Sequence, residues 1–474
     1  TQGTIISSLE YAIYNGYASQ VIGATNNWWG SVDGPGNPVY AGNRVSSYVA
    51  YEPWSQSASV PGDPSSVTGI ELKTDATYAT ALSTNPDILD RLFIELVGVD
   101  SDAANANTTS VTITNSGSIS ALLSETGVNT GIYRGYCRIV GNGSNNDSYD
   151  FINAAIGNTI TVSRGGQQDT AVVGAGAAWK ESSTLAGSPE VIGSSITITT
   201  GSTLTIEPGV SVKLSGNGTQ FIINNGATLS AIGTGAKNII FTAATANPVP
   251  ASWNSIVIYT SAATFSYCQV KYAIYGIQVL NNNITPSITY STISNNSNIG
   301  IYIYNASPTV DNCTIQYNTL EYGIYMYYQN VTMTGATMTN NTIRYNGDGT
   351  DWDSGIYIYF SKDTWNGTQY NMGTTTITGN TVSNNNRNGI AINMYGYGYT
   401  GLNNYASVTV SNNTISNNNM YGARFYINGY NTSYYSRMIV SFNNNNISGH
   451  TASGAVGVYS YTSSTDSRSW MYIT

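Results

Sequence analysis

From Phe265 to the last residue a short phrase recurs: a small or polar residue, then usually Thr, then Ile or Val, with Asn-rich text after it. It stands as Cys268-Gln269-Val270, Ser291-Thr292-Ile293, Cys313-Thr314-Ile315, Asn341-Thr342-Ile343, Asn380-Thr381-Val382, Asn413-Thr414-Ile415 and Asn445-Asn446-Ile447. The aliphatic anchors are 23, 22, 28, 39, 33 and 32 residues apart. A second phrase follows most of them, Gly-Ile-Tyr-Ile-Tyr at Gly300 to Tyr304, with related text at Gly276, Gly323, Gly355 and Gly389. A unit of this length cannot bury its apolar face alone and must stack on its neighbours, which makes this part of the chain a solenoid.

Within each phrase apolar and polar residues alternate, Ile301 and Ile303 against Tyr302 and Tyr304, the periodicity of a strand. One such strand per coil, ~4.8 Å from its copy in the next coil, lines up an Ile/Val column inside and ladders like residues outside. Insertions of variable length, as between Ile343 and Val382, are expected to bulge outward as loops. The fold class is therefore all-β, dominated by a right-handed parallel β-helix of about ten or eleven coils, a rod of ~50 Å.

Composition fits a stack of this kind. Charged residues are only 9% of the 474, and Asn, Thr, Ser, Gly and 38 Tyr fill the positions that Lys and Glu hold on ordinary surfaces. Identical charges laddered at strand spacing repel, whereas Asn amides hydrogen-bond along the stack. A net charge of -9 argues against nucleic acid as a partner. Cys268 and Cys313 share a repeat column two coils apart, about 9.6 Å, beyond disulfide reach. They read as small buried fillers interchangeable with Ser291. No run of ~20 apolar residues suggests a membrane span, and the composition points to an extracellular or cell-surface protein.

The first residues repeat the solenoid's vocabulary. Leu9-Glu10-Tyr11-Ala12-Ile13-Tyr14 nearly copies Leu320-Glu321-Tyr322-Gly323-Ile324-Tyr325, and Gly3-Thr4-Ile5 matches the anchor phrase. Next come Asn26-Asn27-Trp28-Trp29-Gly30-Ser31, Asp33-Gly34-Pro35-Gly36 and Pro53-Trp54. That text resembles the closing segment of bacterial and archaeal surface β-helix proteins, in which aromatic rings cover the last coil. Text around Met438-Ile439-Val440 and Trp470-Met471-Tyr472-Ile473-Thr474 reads as a coil without a closing segment, and counting from Ile447 through residue 474 to Ile5 gives 32 residues, the preceding spacing. The expectation is that residues 1 to about 54 of one copy complete the coil of another. Ile5, Leu9, Tyr11, Ile13, Trp28, Trp29 and Trp54 would then meet Trp470, Tyr472 and Ile473 in a head-to-tail homopolymer. A head folding back on its own tail, and a unit cut from a longer tandem array, satisfy the same register.

The organisation expected is residues 1–57 as a β-helix closing segment, 58–66 as a linker, 67–185 as a second domain and 186–474 as the β-helix. In the second domain, Ser124-Glu125-Thr126-Gly127-Val128-Asn129-Thr130-Gly131-Ile132-Tyr133-Arg134-Gly135 looks like a signature of immunoglobulin-like β-sandwich domains in prokaryotic surface proteins, a resemblance that concerns fold alone. Leu204-Thr205-Ile206-Glu207-Pro208-Gly209-Val210 and Trp253-Asn254-Ser255-Ile256 resemble the opening coils of the same surface β-helix family.

Pectate lyases and polysaccharide hydrolases share related folds and need clustered carboxylates, a basic residue or calcium on one face. Thr364 to Thr465 contains no Asp or Glu, and His450 is the only histidine, read here as a turn residue. The carboxylate cluster is Asp348, Asp351 and Asp353, which could hold Ca²⁺ but lacks EF-hand spacing; no other cofactor is implied. Tyr302, Tyr325 and Tyr357, and beside them Tyr304, Tyr327 and Tyr359, should form outward ladders, able to bind sugars or simply to stabilise the sheet. Asn107, Asn142, Asn305, Asn366 and Asn431 stand in Asn-X-Ser/Thr triplets that would accept glycans in a suitable organism. The reading favours a non-enzymatic structural subunit of an extracellular filament or surface layer, with a carbohydrate-binding or polysaccharide-degrading β-helix surface protein or adhesin as the alternative.

Overall fold

The structure is a computed structural model. It describes the residues from 64 onward except 65, 76, 101–103, 142–144, 146–149, 180–189, 246, 330, 351, 365–370, 399–402, 431–434, 452–453 and 463–467; before residue 64 it describes only the paired strands Ile22–Gly23 and Val49–Ala50. The chain divides into two compact units, Thr1–Gly193 and Ser194–Thr474.

The first unit carries an eight-stranded sheet. Its strands lie in the order Gln167–Val172, Thr159–Arg164, Thr108–Thr114, Ser118–Glu125, Ile132–Val140, Arg91–Val99 and Ser66–Lys73, every neighbour antiparallel, while Phe151–Asn153 adds to Ile132–Val140 in parallel. The ends of that path come together, where Leu72 N–H donates to Asp169 Oδ2 at 2.9 Å. The sheet thus curls into a barrel-like layer, with Leu92, Ile94, Ile113, Leu123, Tyr133 and Val162 buried. The immunoglobulin-like sandwich expected here is not confirmed. Alternating strands are common to a sandwich and a barrel, and only the pairing of edges separates the two.

The Ser124–Gly135 signature has a local physical cause. The Glu125 carboxylate accepts the N–H of Asn107 at 2.9 Å, Thr130 at 2.8 Å and Gly131 at 2.9 Å, and the Thr130 hydroxyl at 3.2 Å. Burial alone would raise its pKa, but these donors outweigh it and hold the carboxyl below its ordinary range. One side chain therefore pins the loop between two strands.

In the second unit every coil contributes one strand to each of three parallel sheets. Sheet A runs from Ile196–Ile198 to Gly454–Thr462, sheet B from Thr203–Ile206 to Arg468–Ile473, and sheet C from Ser211–Leu214 to Asn446–Ser448. The anchors fall in register on sheet C, Val270 on Ile293, then Ile315, Ile343, Val382, Ile415 and Ile447. On sheet A, Ile301 and Ile303 point into the core while Tyr302 and Tyr304 are half-buried on the outer face. Phe221, Phe241 and Phe265 meet in the interior, the first pair edge-to-face at 5.5 Å and the second tilted at 6.0 Å.

Two buried amide ladders flank sheet C. On one side Cys313 N–H donates to Asn341 Oδ1, Asn341 to Asn380, Asn380 to Asn413 and Asn413 to Asn445, at 2.8–3.0 Å. On the other Asn296, Asn318, Asn346, Asn385 and Asn418 repeat the pattern, each also bonded side chain to side chain with the next. Each ladder residue follows one with positive φ, such as Asn340 and Asn412 on one side and Tyr345 and Asn384 on the other. That conformation turns the chain between strands and is one that Asn tolerates better than most residues. His450 takes the last place, with Nδ1 3.3 Å from Asn418 N and O and Nε2 3.2 Å from Ile415 O. It is thus a ladder member rather than a plain turn residue.

The insertion between Ile343 and Val382 is not simply an outward loop. It lengthens the strands to Ser354–Thr364 in sheet A and Asn371–Thr378 in sheet B. The next coil extends in step, Ser361 pairing Tyr395 and Thr364 pairing Gly398. Once neighbouring coils carry matching inserts, their backbone groups satisfy each other and the insert becomes sheet.

Candidate functional site

The outer face of sheet A concentrates the chain's aromatic residues. Strand registry puts Tyr302 beside Tyr325 and Tyr357, and Tyr304 beside Tyr327 and Tyr359. Ring centroids in the first column are 5.4 and 5.3 Å apart, and in the second 5.5 and 5.3 Å. Tyr322 closes the edge, 5.0 Å from Tyr325 and stacked on Tyr357 at 4.9 Å. Burial, with neighbouring phenols second, pushes the Tyr302 hydroxyl up to about 12 and raises those of Tyr325 and Tyr357 as well. The face is a neutral, close-packed phenol array across three coils, half-buried except at Tyr357, which is buried with Tyr322 and Trp352 stacked on it and so is not outward as the sequence led one to expect.

Toward the later coils the columns change. Tyr357 is followed by Ala391 and Arg424, and Tyr359 by Asn393 and Tyr426. The small Ala391 leaves room for Trp352, which lies 6.5 Å from Tyr357, 6.0 Å from Tyr426 and 3.7 Å from the Arg424 guanidinium. Tyr395 joins the group, 5.2 Å from Tyr359 and 5.4 Å from Tyr426. Asn393 is fully buried and donates to the Tyr357 hydroxyl at 2.8 Å.

Carboxylates stand at the edge of this surface. Burial, and next the charge of Asp348, raises the pKa of Glu321, the residue before Tyr322. The Thr350 hydroxyl and N–H bonded to Asp348 hold that carboxyl down. Asp353 is buried and pushed up to about 6, because burial outweighs the N–H groups of Asp348, Gly349 and Thr350 that point at its Oδ2 from 2.8–3.1 Å. In the expected calcium cluster, then, Asp353 and Asp348 cap their own loop, and Asp351 lies outside the described residues. Among the described residues no group of three or more His, Cys, Asp or Glu is placed to hold a metal ion.

Of the expected interface residues, Ile5, Leu9, Tyr11, Ile13, Trp28, Trp29 and Trp54 lie outside the described residues. Trp470 lies in the strand Arg468–Ile473, its side chain also outside them; Tyr472 and Ile473 are exposed there, with the Arg437 guanidinium 5.0 Å over the Tyr472 ring. Two candidate glycan acceptors are corrected. Asn107 and Asn305 are buried, and their amides donate to Asp100 Oδ1 and Gln329 O; Asn142, Asn366 and Asn431 lie outside the described residues. Cys137, Cys268 and Cys313 are buried free thiols, and burial pushes the last two up to about 12. Trp352 and Arg424 were not read from the sequence as partners, since 72 residues separate them and only the stacking of coils brings them together.

Fold and site define a parallel β-helix with an aromatic outer sheet. Residues 249–469 match the family described as "Right handed beta helix region", in agreement with the three parallel sheets. No curated protein matches the sequence. Among solved structures the chain is similar to a mutant of the periplasmic alginate epimerase AlgG, 13% identical over 55% of this chain and 77% of that one, with a TM-score of 0.31. It is similar to the Agl-KA catalytic domain, 14% identical over 88% and 98%, at 0.24. It also resembles the catalytic unit of a GH87 alpha-1,3-glucanase from Streptomyces thermodiastaticus, 11% identical over 80% and 91%, at 0.23. These likenesses concern fold alone. The expectation of a chain without catalytic activity is nonetheless corrected by them, because the solved structures of similar fold are an epimerase and two catalytic units. Among the described residues no helix is long and apolar enough to cross a membrane.

Proposed function

We propose that this is an extracellular or surface β-helix protein that engages a polysaccharide along the outer face of sheet A. The observation that carries the reading is the row of half-buried phenols Tyr302, Tyr325, Tyr304, Tyr327 and Tyr359, continued by Trp352, which with Tyr322 stacks on the buried Tyr357. Sugar rings offer apolar C–H faces and polar edges, and a row of rings carrying hydroxyls meets both at once. A rigid sheet also presents that row at little ordering cost.

The test is pull-down and calorimetric titration with a panel of insoluble and soluble polysaccharides, with product analysis alongside. Tyr327→Ala and Tyr302→Ala, both on the outer face, should weaken binding by about tenfold each, as expected for a lost stacking contact, and leave far-UV circular dichroism unchanged. Unaltered binding in the double variant would remove this face from consideration.

A second reading is assembly of copies through the surface of the last described coil, Gly454–Thr462 and Arg468–Ile473. Residues 1–54, whose Leu9–Tyr14 copies a coil phrase, are the segment we assign to that surface on a neighbouring copy. Deleting residues 1–54 should abolish fibres in negative-stain images, and normal fibres from the deletion would exclude this assignment.

A further inference from the structure

We propose that the later-coil end of the tyrosine face is a site for the acidic group of a saccharide, a carboxylate or a sulfate, taken by Arg424 with Arg387 in support. This inference rests on the polysaccharide reading above and narrows its ligand class.

The argument begins with what Arg424 lacks. Trp352 covers its guanidinium at 3.7 Å, and the Tyr459 ring lies 5.3 Å from it. Aromatic stacking satisfies the faces of a guanidinium, but its N–H donors lie in the plane and still need acceptors. Arg424 Nε is buried without a hydrogen-bond partner among the described residues. Arg387 Nε reaches only the Met420 sulfur, at 3.3 Å, and neither arginine pairs with a described carboxylate. Burial, foremost, and the Arg387 charge both act to lower the pKa of Arg424, so the two cations disfavour each other with no paired carboxylate among the described residues to offset them.

The sequence excludes the ordinary remedy over a long stretch. From Thr364 to Thr465 there is no Asp or Glu, but there are Arg387, Arg424 and Arg437. In a chain of net charge -9 this is a local reversal of sign. In the loop that carries Trp352, Asp348 and Asp353 spend their oxygens on Thr350 and on backbone amides, and Asp351 lies outside the described residues. A half-buried, ring-clamped arginine with an unpartnered Nε and no paired carboxylate among the described residues is a receptor for a planar anion. Ala391 on one side of Arg424 and Gly457 on the other keep its column free of bulky neighbours. Tyr426 and Tyr395 continue the stacking surface beside it.

The experiment titrates the full chain with an oligogalacturonate, a sulfated cello-oligosaccharide and a neutral cello-oligosaccharide of equal length, at low and high salt. At low salt at least one acidic probe should bind about tenfold more tightly than the neutral one, and added salt should erase the difference. Whichever acidic probe is preferred separates carboxylate from sulfate. Arg424→Gln should bring the preferred probe down to the neutral level while neutral binding persists, and Arg424→Lys should restore only part of it. Arg387→Gln, at the sheet edge, gives the same readout in milder form if Arg424→Gln does not fold. A purely structural clamp would lower melting temperature and leave the acidic preference intact, which would overturn the proposal. Equal binding of acidic and neutral probes would overturn it while sparing the polysaccharide reading, and no binding of any probe, with Tyr327→Ala without effect, would remove both.

Discussion

Asn346 shows at the scale of one residue why the composition is so rich in amides. Its Oδ1 accepts from Asn318 N and Nδ2 at 3.2 and 2.8 Å, and its Nδ2 donates to Asn385 Oδ1 and Ile315 O at 3.0 and 3.2 Å. Alanine there would leave several buried groups without partners, so Asn346→Ala should cost about 2–3 kcal/mol in urea unfolding. Gly323 has the opposite requirement, space. A Cβ there would sit 2.6 Å from Gly355 O and 2.9 Å from Asn346 Nδ2 and Ile343 Cγ2. Gly323→Ala should therefore destabilise by about 1–3 kcal/mol through overpacking, measured in the same way. The repeated Gly and Asn were visible in the sequence as phrases. That one must stay small because the other's amide lies against it was not, because the two stand 23 positions apart.

Elements are held together by carboxylates used in two opposite ways. Glu125 is hydrogen-bonded strongly enough to stay below the ordinary carboxylate range, so its contribution is present above that range and fades as pH falls through its depressed value. Asp353 is raised to about 6, so its sign is reversed. The folded state favours its protonated form, and stability it contributes is present in acid and lost as pH rises through about 6. Asp353→Asn keeps an oxygen for the backbone N–H groups and removes the buried charge. The variant should be more stable than the parent at pH near 7.5, on the order of 1 kcal/mol, with the gap closing toward pH near 4.5. Thermal melts across that range, parent against variant, decide it; a constant gap would refute the assignment. The long inserts belong to this scale too. Their lengths were legible, but whether they looped out or laddered depended on matching inserts in the next coil, a property of pairs of coils.

At the scale of the whole molecule, two compact units of different construction share one chain. One is a curled antiparallel sheet whose pairings cross long sequence intervals, such as Leu72 with Ile94 and Leu92 with Cys137. The other is a stack in which each coil touches its neighbours. Calorimetry should resolve two transitions, with Glu125→Ala lowering only one and Asn346→Ala only the other; a single transition shifted by both would show the units to be cooperative. The sequence by itself determined the parallel β-helix, its inward anchors and its tyrosine columns, because a repeat stacked in register turns sequence position directly into spatial position. The same logic kept Cys268 and Cys313 apart as buried free thiols. Tertiary structure alone decided that the strands of the first unit close into one curled sheet, that His450 ends an amide ladder, and that Trp352 meets Arg424. These depend on which edges find each other and on how far a side chain reaches across two coils. Neither is encoded in the spacing of a repeat.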